Sequence, residues 1–195
     1  HDAMFYRICR VLSRIIFFLL YRLKAIGVEH VPSSGPVVLC SNHLSNIDPV
    51  LLATPLNRKV RYMAKAELFS VVGLRWLIVK FGAFPVKRGG VSKESIRTAL
   101  NILENGEVLG IFPAGTRSNT VGMGKKGAAS LALKTNATVI PVAIVGNYVP
   151  FRRMTVAYGR PLDLSEFSAA TSEDLELATE RIMQAISQLL EAHRR

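Results

Sequence analysis

The sequence predicts an α/β fold, a single layered domain with a mostly parallel central sheet flanked by helices. Short, nearly continuous apolar runs such as residues 37–40 and 139–145 are typical of strands buried on both faces of a sheet. These runs alternate with segments in which apolar residues recur at helical spacing, as expected for a layered α/β domain. With 195 residues, 49% of them hydrophobic, and no internal repeat or long linker, the chain can bury one core.

The individual strands and helices are placed by their patterns. We expect strands at residues 37–40, 59–63, 108–112, 139–145 and 154–158. A helix is expected after Ser92, which is a capping residue, and it ends at Gly106. Another helix fits residues 126–134, and Thr171 opens the last helix with a capping pattern. Pro141 cannot donate a backbone hydrogen bond, so it marks its strand as an edge strand or an irregular one.

Residues 4–27, ahead of an α/β domain over residues 28–195, are predicted to form a membrane-associating helical segment. Arg7, Arg10 and Arg14 recur there at helical spacing between Ile, Leu and Phe residues. A basic amphipathic helix lies in the membrane interface, with arginines near lipid phosphates and its apolar side among acyl chains. The longest run without a charge has seven residues, whereas a membrane-spanning helix needs about 20. The alternative is an amphipathic helix packed on its own domain.

The charge indicates an anionic partner. The net charge is +11, and residues 1–159 hold 21 of the 25 basic residues but only 7 of the 14 acidic ones. A phospholipid surface and nucleic acid both fit this charge. Because the arginines of residues 7–24 are interleaved with Ile, Leu and Phe, we expect an anionic phospholipid membrane and no nucleic acid. A second apolar stretch, residues 68–81, contains the only tryptophan and is either a second interfacial helix or an ordinary buried one.

The cysteines and histidines do not indicate a disulfide framework or a metal site. Cys9 and Cys40 are the only cysteines, and they are far apart in the sequence. A disulfide framework and a thiolate zinc site are therefore not expected, and a reducing compartment is. The four histidines show no metal-binding spacing, so we expect no metal and no organic cofactor. Together with the N-terminal segment, this predicts a peripheral or monotopic protein at the cytoplasmic face of the cell membrane.

A histidine and an aspartate lie five positions apart directly after the first predicted strand. If His43 and Asp48 meet, the carboxylate fixes the tautomer of the imidazole and leaves its other nitrogen as a general base. Such a pair can deprotonate a hydroxyl that attacks an acyl carbonyl. The spacing alone also allows a structural histidine and an aspartate that merely caps the following helix. No G-x-S-x-G motif typical of serine hydrolases occurs.

Two glycine-containing segments carry arginines suited to phosphate binding. Arg88 lies in GAFPVKRGG at residues 82–90, and Arg117 lies in FPAGTRS at residues 112–118. A guanidinium group can bind a phosphate through two parallel hydrogen bonds, and neighbouring glycines allow a close approach. Lys125 would add a third charge. The alternative is that these side chains are solvated loop cations.

Four motifs, in this order and spacing, resemble those of the glycerolipid acyltransferase family: NHLSNID, GAFPVKR, FPAGTRS and VIPVAIVG. Four ordered motifs are far more specific than one histidine spacing. Within this family, the small size of the chain resembles the bacterial 1-acylglycerol-3-phosphate acyltransferases. The resemblance runs from about residue 27 to residue 146, and the basic, apolar N-terminal segment is in keeping with it.

The resemblance implies an activity and a set of site residues. His43 would be the general base on the free sn-2 hydroxyl of lysophosphatidic acid, with Asp48 orienting it. The acyl donor would be acyl-CoA or acyl-carrier-protein, and the product phosphatidic acid. Arg88 and Arg117, with Lys125 as a weaker addition, would hold the substrate phosphate. The other motif positions that would support the site are Asn42, Gly115, Thr116, Ser118 and Pro141, the last in a motif linked to acyl-donor binding or structure.

One position departs from the family pattern. The third motif commonly reads FPEGTRS, and Ala114 stands here at the glutamate position. A carboxylate there would orient Arg117 or bind a substrate hydroxyl, and alanine can do neither. Two interpretations are open: a natural variant whose acceptor or rate differs, and a deliberate substitution. Glycerol-3-phosphate or another lysophospholipid is the alternative acceptor, and a non-catalytic membrane-surface or nucleic-acid binding module is the alternative function.

Overall fold

Seven strands form one sheet in the computed structural model of the chain, which describes residues 2–86, 92–113 and 126–194. In chain order they are β1 (Lys24–Ile26), β2 (Val37–Ser41), β3 (Val60–Lys65), β4 (Ala83–Val86), β5 (Val108–Ile111), β6 (Thr138–Val145) and β7 (Thr155–Tyr158). Their spatial order is β1-β7-β6-β2-β5-β3-β4. Every neighbouring pair is parallel except β6 with β7, which is antiparallel. The predicted α/β architecture with a mostly parallel sheet is confirmed.

Helices cover both faces of this sheet. Within the described ranges they are α1 (Asp2–Tyr21), α2 (Asp48–Ala53), α3 (Leu74–Lys80), α4 (Lys93–Glu104), α5 (Gly127–Thr135) and α6 (Ser172–His193), with short 3-10 helices at Val28–His30 and Ala66–Ser70. Side chains of α1, α2 and α3 contribute to one hydrophobic core, and those of α4, α5 and α6 to another. Alternate residues of β2 enter the two cores, because successive side chains of a strand point to opposite faces.

Two of the predicted helix starts are confirmed by their caps. The hydroxyl of Ser92 accepts a hydrogen bond from the backbone N–H of Ser95 at the start of α4. The hydroxyl of Thr171 accepts one from the backbone N–H of Asp174 at the start of α6. These contacts satisfy N–H groups that have no partner inside the helix.

The N-terminal segment is helical over less of its length than predicted. The helix ends at Tyr21, and Arg22 has a left-handed backbone with φ of 47°. Residues 24–26 then form β1 at the edge of the sheet, paired in parallel with β7. The expectation of a helical segment through residue 27 is therefore wrong for its last residues, which belong to the sheet.

Pro141 lies in an interior strand rather than an edge strand. Its strand, β6, has β7 on one side and β2 on the other. The carbonyl of Pro141 accepts a hydrogen bond of 2.7 Å from the N–H of Gly159, which directly follows the last residue of β7. The missing N–H therefore falls where the β6–β7 ladder ends. Of the two alternatives drawn from the sequence, the edge strand is wrong, and β6 runs without interruption from Thr138 to Val145.

Two of the three α1 arginines turn toward the protein instead of the solvent. Arg14 donates hydrogen bonds to the carbonyls of Thr54 at 2.7 Å and of Leu56 at 3.1 Å, just after the end of α2. Arg10 donates to the carbonyl of Asn57 at 2.6 Å. The last carbonyls of a helix lack intrahelical partners and carry partial negative charge, so a guanidinium is a favourable partner. The expectation that these two arginines lie at lipid phosphates is wrong.

Most of the exposed side chains of α1 are apolar. Only Tyr6 and Phe17 of this helix are buried. Its exposed apolar side chains are Met4, Ile8, Val11, Leu12, Ile15, Ile16, Phe18 and Leu19. The helix thus packs on the domain through one narrow stripe and leaves a larger apolar surface uncovered. Among the described residues, no helix is long and apolar enough to cross a membrane.

The second apolar stretch extends this surface. No residue of α3 is buried, and Trp76 in it is 55% exposed. The rings of Phe5 in α1 and Trp76 meet edge to face with centroids 4.6 Å apart. The alternative of an ordinary buried helix at residues 68–81 is therefore wrong. We call the exposed apolar side chains of α1 together with those of residues 68–79 the apolar face.

The contact of Arg14 with the end of α2 predicts an unequal effect of two arginine substitutions. Arg14→Met should lower the free energy of unfolding by about 1–3 kcal/mol, because it leaves carbonyls at the end of α2 without their charged donor. Arg7→Met, on the exposed side of the same helix, should change it by less than about 0.5 kcal/mol. Urea unfolding in detergent measures both. Equal losses in the two variants would contradict the assigned role of Arg14.

Candidate active site

The site begins at the carboxyl end of β2, where Asn42 ties two strands together. Its side-chain N–H donates to the carbonyl of Ile144 at 2.9 Å, and its side-chain oxygen accepts from the N–H of Ile144 at 2.7 Å. These two bonds connect the end of β2 to its neighbour β6, 102 positions away in the sequence. They fix the point from which the loop toward α2 departs.

This loop turns back so that His43 meets Asp48, the first residue of α2. One carboxylate oxygen of Asp48, Oδ2, lies 2.7 Å from Nδ1 of His43. The same oxygen accepts hydrogen bonds from the backbone N–H groups of Leu44 and Ser45. The carboxylate thus engages residues that precede α2, and no side chain caps that helix at Ile47. The alternative in which Asp48 merely caps the following helix is therefore wrong.

The second carboxylate oxygen is held by a residue that the sequence analysis did not single out. The hydroxyl of Tyr148 donates a hydrogen bond of 2.6 Å to Oδ1 of Asp48. Burial first, and then the charge of Asp48, raise the pKa of Tyr148 well above its ordinary value, so the hydroxyl stays protonated and remains a donor. Asp48 itself has no exposed surface. A buried carboxylate needs such donors, because an unpaired one is costly to desolvate.

The contact with Asp48 uses Nδ1 of His43, so the other ring nitrogen, Nε2, is the one that could exchange a proton with a substrate. Because Oδ2 of Asp48 also accepts two backbone N–H groups, we expect it to act as an acceptor toward His43 as well, with the proton on Nδ1. Among the described contacts, Nε2 is left unused. The ring packs against Phe112 with centroids 4.6 Å apart, and the side chain is 14% exposed. This arrangement is suited to accepting a proton at Nε2.

Several predicted site residues lie outside the described residues. They are Arg88, Gly115, Thr116, Arg117, Ser118 and Lys125, and Ala114, the position that departs from the family pattern, lies outside as well. The strands β4 and β5, which end at Val86 and Ile111, precede these positions in the sequence. Because β2, β5, β3 and β4 are parallel, their carboxyl ends share one edge of the sheet, the edge at which His43 lies.

A cysteine close to the histidine is not a nucleophile. Cys40 lies three positions before His43 and has no exposed surface. Burial raises the pKa of the Cys40 thiol to about 12. The thiolate is the reactive form, and almost none is present at neutral pH. Cys40 therefore does not supply a covalent nucleophile to this site.

The comparisons with known proteins decide the family. A family model described as Acyltransferase matches residues 22–145, which is more than half of the chain. The chain belongs to the acyltransferase family. The resemblance drawn from the four sequence motifs is confirmed. The chain is therefore an enzyme, and the non-catalytic binding module that its charge also allowed is set aside.

Curated relatives of this acyltransferase carry one activity in their names. A 1-acyl-sn-glycerol-3-phosphate acyltransferase of Bacillus subtilis (strain 168) is 30% identical over 191 residues, covering 94% of this chain and 96% of that protein. A protein of the same name from Streptococcus pneumoniae (strain ATCC BAA-255 / R6) is also 30% identical, covering 96% of this chain and 74% of that protein. Both relatives therefore match nearly the whole of this chain.

A solved structure shares the fold of this acyltransferase. It is the crystal structure of the 1-acyl-sn-glycerophosphate acyltransferase PlsC from Thermotoga maritima, with a TM-score of 0.74 and 23% sequence identity. The match covers 97% of this chain and 80% of that one. The layered α/β architecture described above is thus the architecture of that structure as well.

Proposed function

We propose that this acyltransferase moves a fatty acyl group from a thioester donor to the free sn-2 hydroxyl of lysophosphatidic acid, giving phosphatidic acid. The donor is acyl-CoA or acyl-carrier-protein. The observation that carries the proposal is the contact between Nδ1 of His43 and the buried carboxylate of Asp48. The shared name of the curated relatives supports the acceptor.

The proposed reaction is a direct transfer with His43 as the general base. Nε2 of His43 removes the proton from the acceptor hydroxyl while the hydroxyl oxygen attacks the thioester carbonyl carbon. The resulting imidazolium is stabilised by the carboxylate of Asp48. The tetrahedral intermediate then collapses, the carbon–sulfur bond breaks, and the departing thiolate takes the proton from His43. One ester and one thiol form, and the imidazole returns to its neutral form.

The phosphate of the acceptor is the proposed ligand of Arg88 and Arg117, with Lys125 as an additional cation. A neutral acceptor would leave these cations without a partner, so a phosphate-bearing acceptor is favoured. Glycerol-3-phosphate or another lysophospholipid is the second candidate. Ala114 keeps this second candidate open. The glutamate that commonly stands there in the family would orient Arg117 or bind a substrate hydroxyl, and alanine can do neither.

We further propose that the enzyme docks on an anionic membrane through the apolar face of α1 and residues 68–79. An exposed apolar surface shared by two helices marks an interaction site. The net charge of +11 is complementary to anionic lipid headgroups. Residues 4–21, which lie in α1, then serve as the docking segment, and the acyltransferase domain begins with β1 at residues 24–26. The expected location is peripheral or monotopic at the cytoplasmic face of the cell membrane.

Removing the proposed base tests the reaction. With lysophosphatidic acid and acyl-CoA or acyl-carrier-protein, the detergent-solubilised enzyme should form phosphatidic acid. His43→Ala should lower turnover by about 10²–10⁴-fold, because no described group replaces the base. His193→Ala, at the far end of α6, is the matched control and should retain turnover.

Parallel assays with glycerol-3-phosphate and with a neutral lysolipid identify the acceptor. Faster acylation of either would overturn the choice of lysophosphatidic acid. Activity in Ala114→Glu alone would show that Ala114 disables the site. Undiminished turnover by His43→Ala would overturn the assigned base.

Weakening the apolar face should weaken membrane binding. Leu12→Gln should reduce binding to phosphatidylglycerol-containing vesicles about tenfold, since it removes one aliphatic side chain from the lipid contact. Leu177→Gln, an exposed leucine on α6, is the matched control and should bind like the parent. Vesicle sedimentation measures both. Equal binding by the two variants, or tighter binding to duplex DNA than to vesicles, would contradict the proposal.

A further inference from the structure

The connection between β6 and β7 brings a tyrosine into contact with the catalytic loop. Tyr148 lies 100 positions after Asp48 in the sequence, yet its hydroxyl is 2.6 Å from Oδ1 of that carboxylate. Its ring is half-buried and meets the ring of Tyr21 at the end of α1 edge to face, with centroids 5.5 Å apart. This hydroxyl is thus directed at the carboxylate from outside the loop that carries His43.

The backbone around Tyr148 is held in an uncommon conformation. The backbone φ is 51° at Tyr148 and 68° at Phe151, and residues other than glycine rarely adopt such positive values. The loop is fastened to the end of α1 by two backbone hydrogen bonds, from Phe151 to Leu20 at 2.6 Å and from Met154 to Tyr21 at 2.8 Å. Such strain persists only where the surroundings fix it, and it is concentrated at functional sites.

The two oxygens of Asp48 have different partners. Oδ2 receives the Nδ1–H of His43 and two backbone N–H groups of the same short loop. Within the described residues, the Tyr148 hydroxyl is the donor to Oδ1. Without it, Oδ1 would be a buried carboxylate oxygen with no described donor, and the carboxylate would be freer to rotate about its terminal torsion. Rotation would misalign Oδ2 from the imidazole.

We propose that Tyr148 is a positioning residue for the general base: its hydroxyl fixes the plane of the Asp48 carboxylate so that Oδ2 faces Nδ1 of His43. This inference rests on the proposed role of His43 in the acyl transfer. Tyr148 acts through Asp48, so it governs the rate of the chemical step and leaves substrate affinity unchanged.

The test compares two chemically identical substitutions. Tyr148→Phe removes the hydroxyl that contacts Asp48 at the start of α2. Tyr158→Phe removes a buried hydroxyl that donates to the carbonyl of Leu52, in the same helix and also at 2.6 Å. Both variants keep their rings and should lose similar stability in urea unfolding. Only Tyr148→Phe should lower kcat, by about tenfold, with the KM for lysophosphatidic acid and for acyl-CoA within about twofold of the parent.

A spectroscopic readout keeps this test independent of turnover. The NMR resonance of the proton on Nδ1 of His43 should shift in Tyr148→Phe and stay in place in Tyr158→Phe. If the parent acylates no acceptor, the proposed function fails. The resonance still tests whether the hydrogen bond from Tyr148 positions the Asp48 carboxylate. An unchanged kcat and resonance in Tyr148→Phe would overturn the positioning role. A raised KM with unchanged kcat would also overturn it, because it would indicate substrate contact instead.

Discussion

The buried charge of Asp48 is the constraint on which the rest of the site depends. A carboxylate without exposed surface is stable only when donors surround it, because its desolvation costs several kcal/mol. Three donors come from its own loop, and the fourth, the Tyr148 hydroxyl, comes from the chain segment that follows β6. This arrangement orients the histidine and also joins the loop that carries His43 to the connection between β6 and β7.

The short helix α2 connects Asp48 at its start to the N-terminal helix α1 at its end. Six residues are too few to form a stable helix alone, so contacts at both ends must hold it. Asp48 occupies its positive end, and Arg14 of α1 binds the carbonyls just beyond its negative end. The helix that carries the proposed membrane-docking surface is therefore hydrogen-bonded to the end of the helix that begins with Asp48. Arg10 and Arg14, which were expected to lie at lipid phosphates, bind backbone carbonyls that follow α2 instead.

The fold was predictable from the sequence where local patterns are strong. Buried parallel strands such as β2 appear as continuous apolar runs, and the caps of α4 and α6 lie in the sequence. The strands β1 and β4 were not predicted. The three residues of β1 are too few to show an alternating pattern. The edge strand β4 contains Pro85, a residue more typical of loops than of strands. His43 and Asp48 are five positions apart and could be paired by spacing. Tyr148 could not, since only the folded sheet brings it to Asp48.

The tautomer of His43 tests the central claim most directly. The nitrogen-15 NMR spectrum of the neutral imidazole reports which ring nitrogen carries the proton. The contacts of Asp48 predict a protonated Nδ1 and an unprotonated Nε2 that is available as the base. A proton on Nε2 with an unprotonated Nδ1 would contradict the account, because the buried carboxylate would then not hold the histidine in the reactive form.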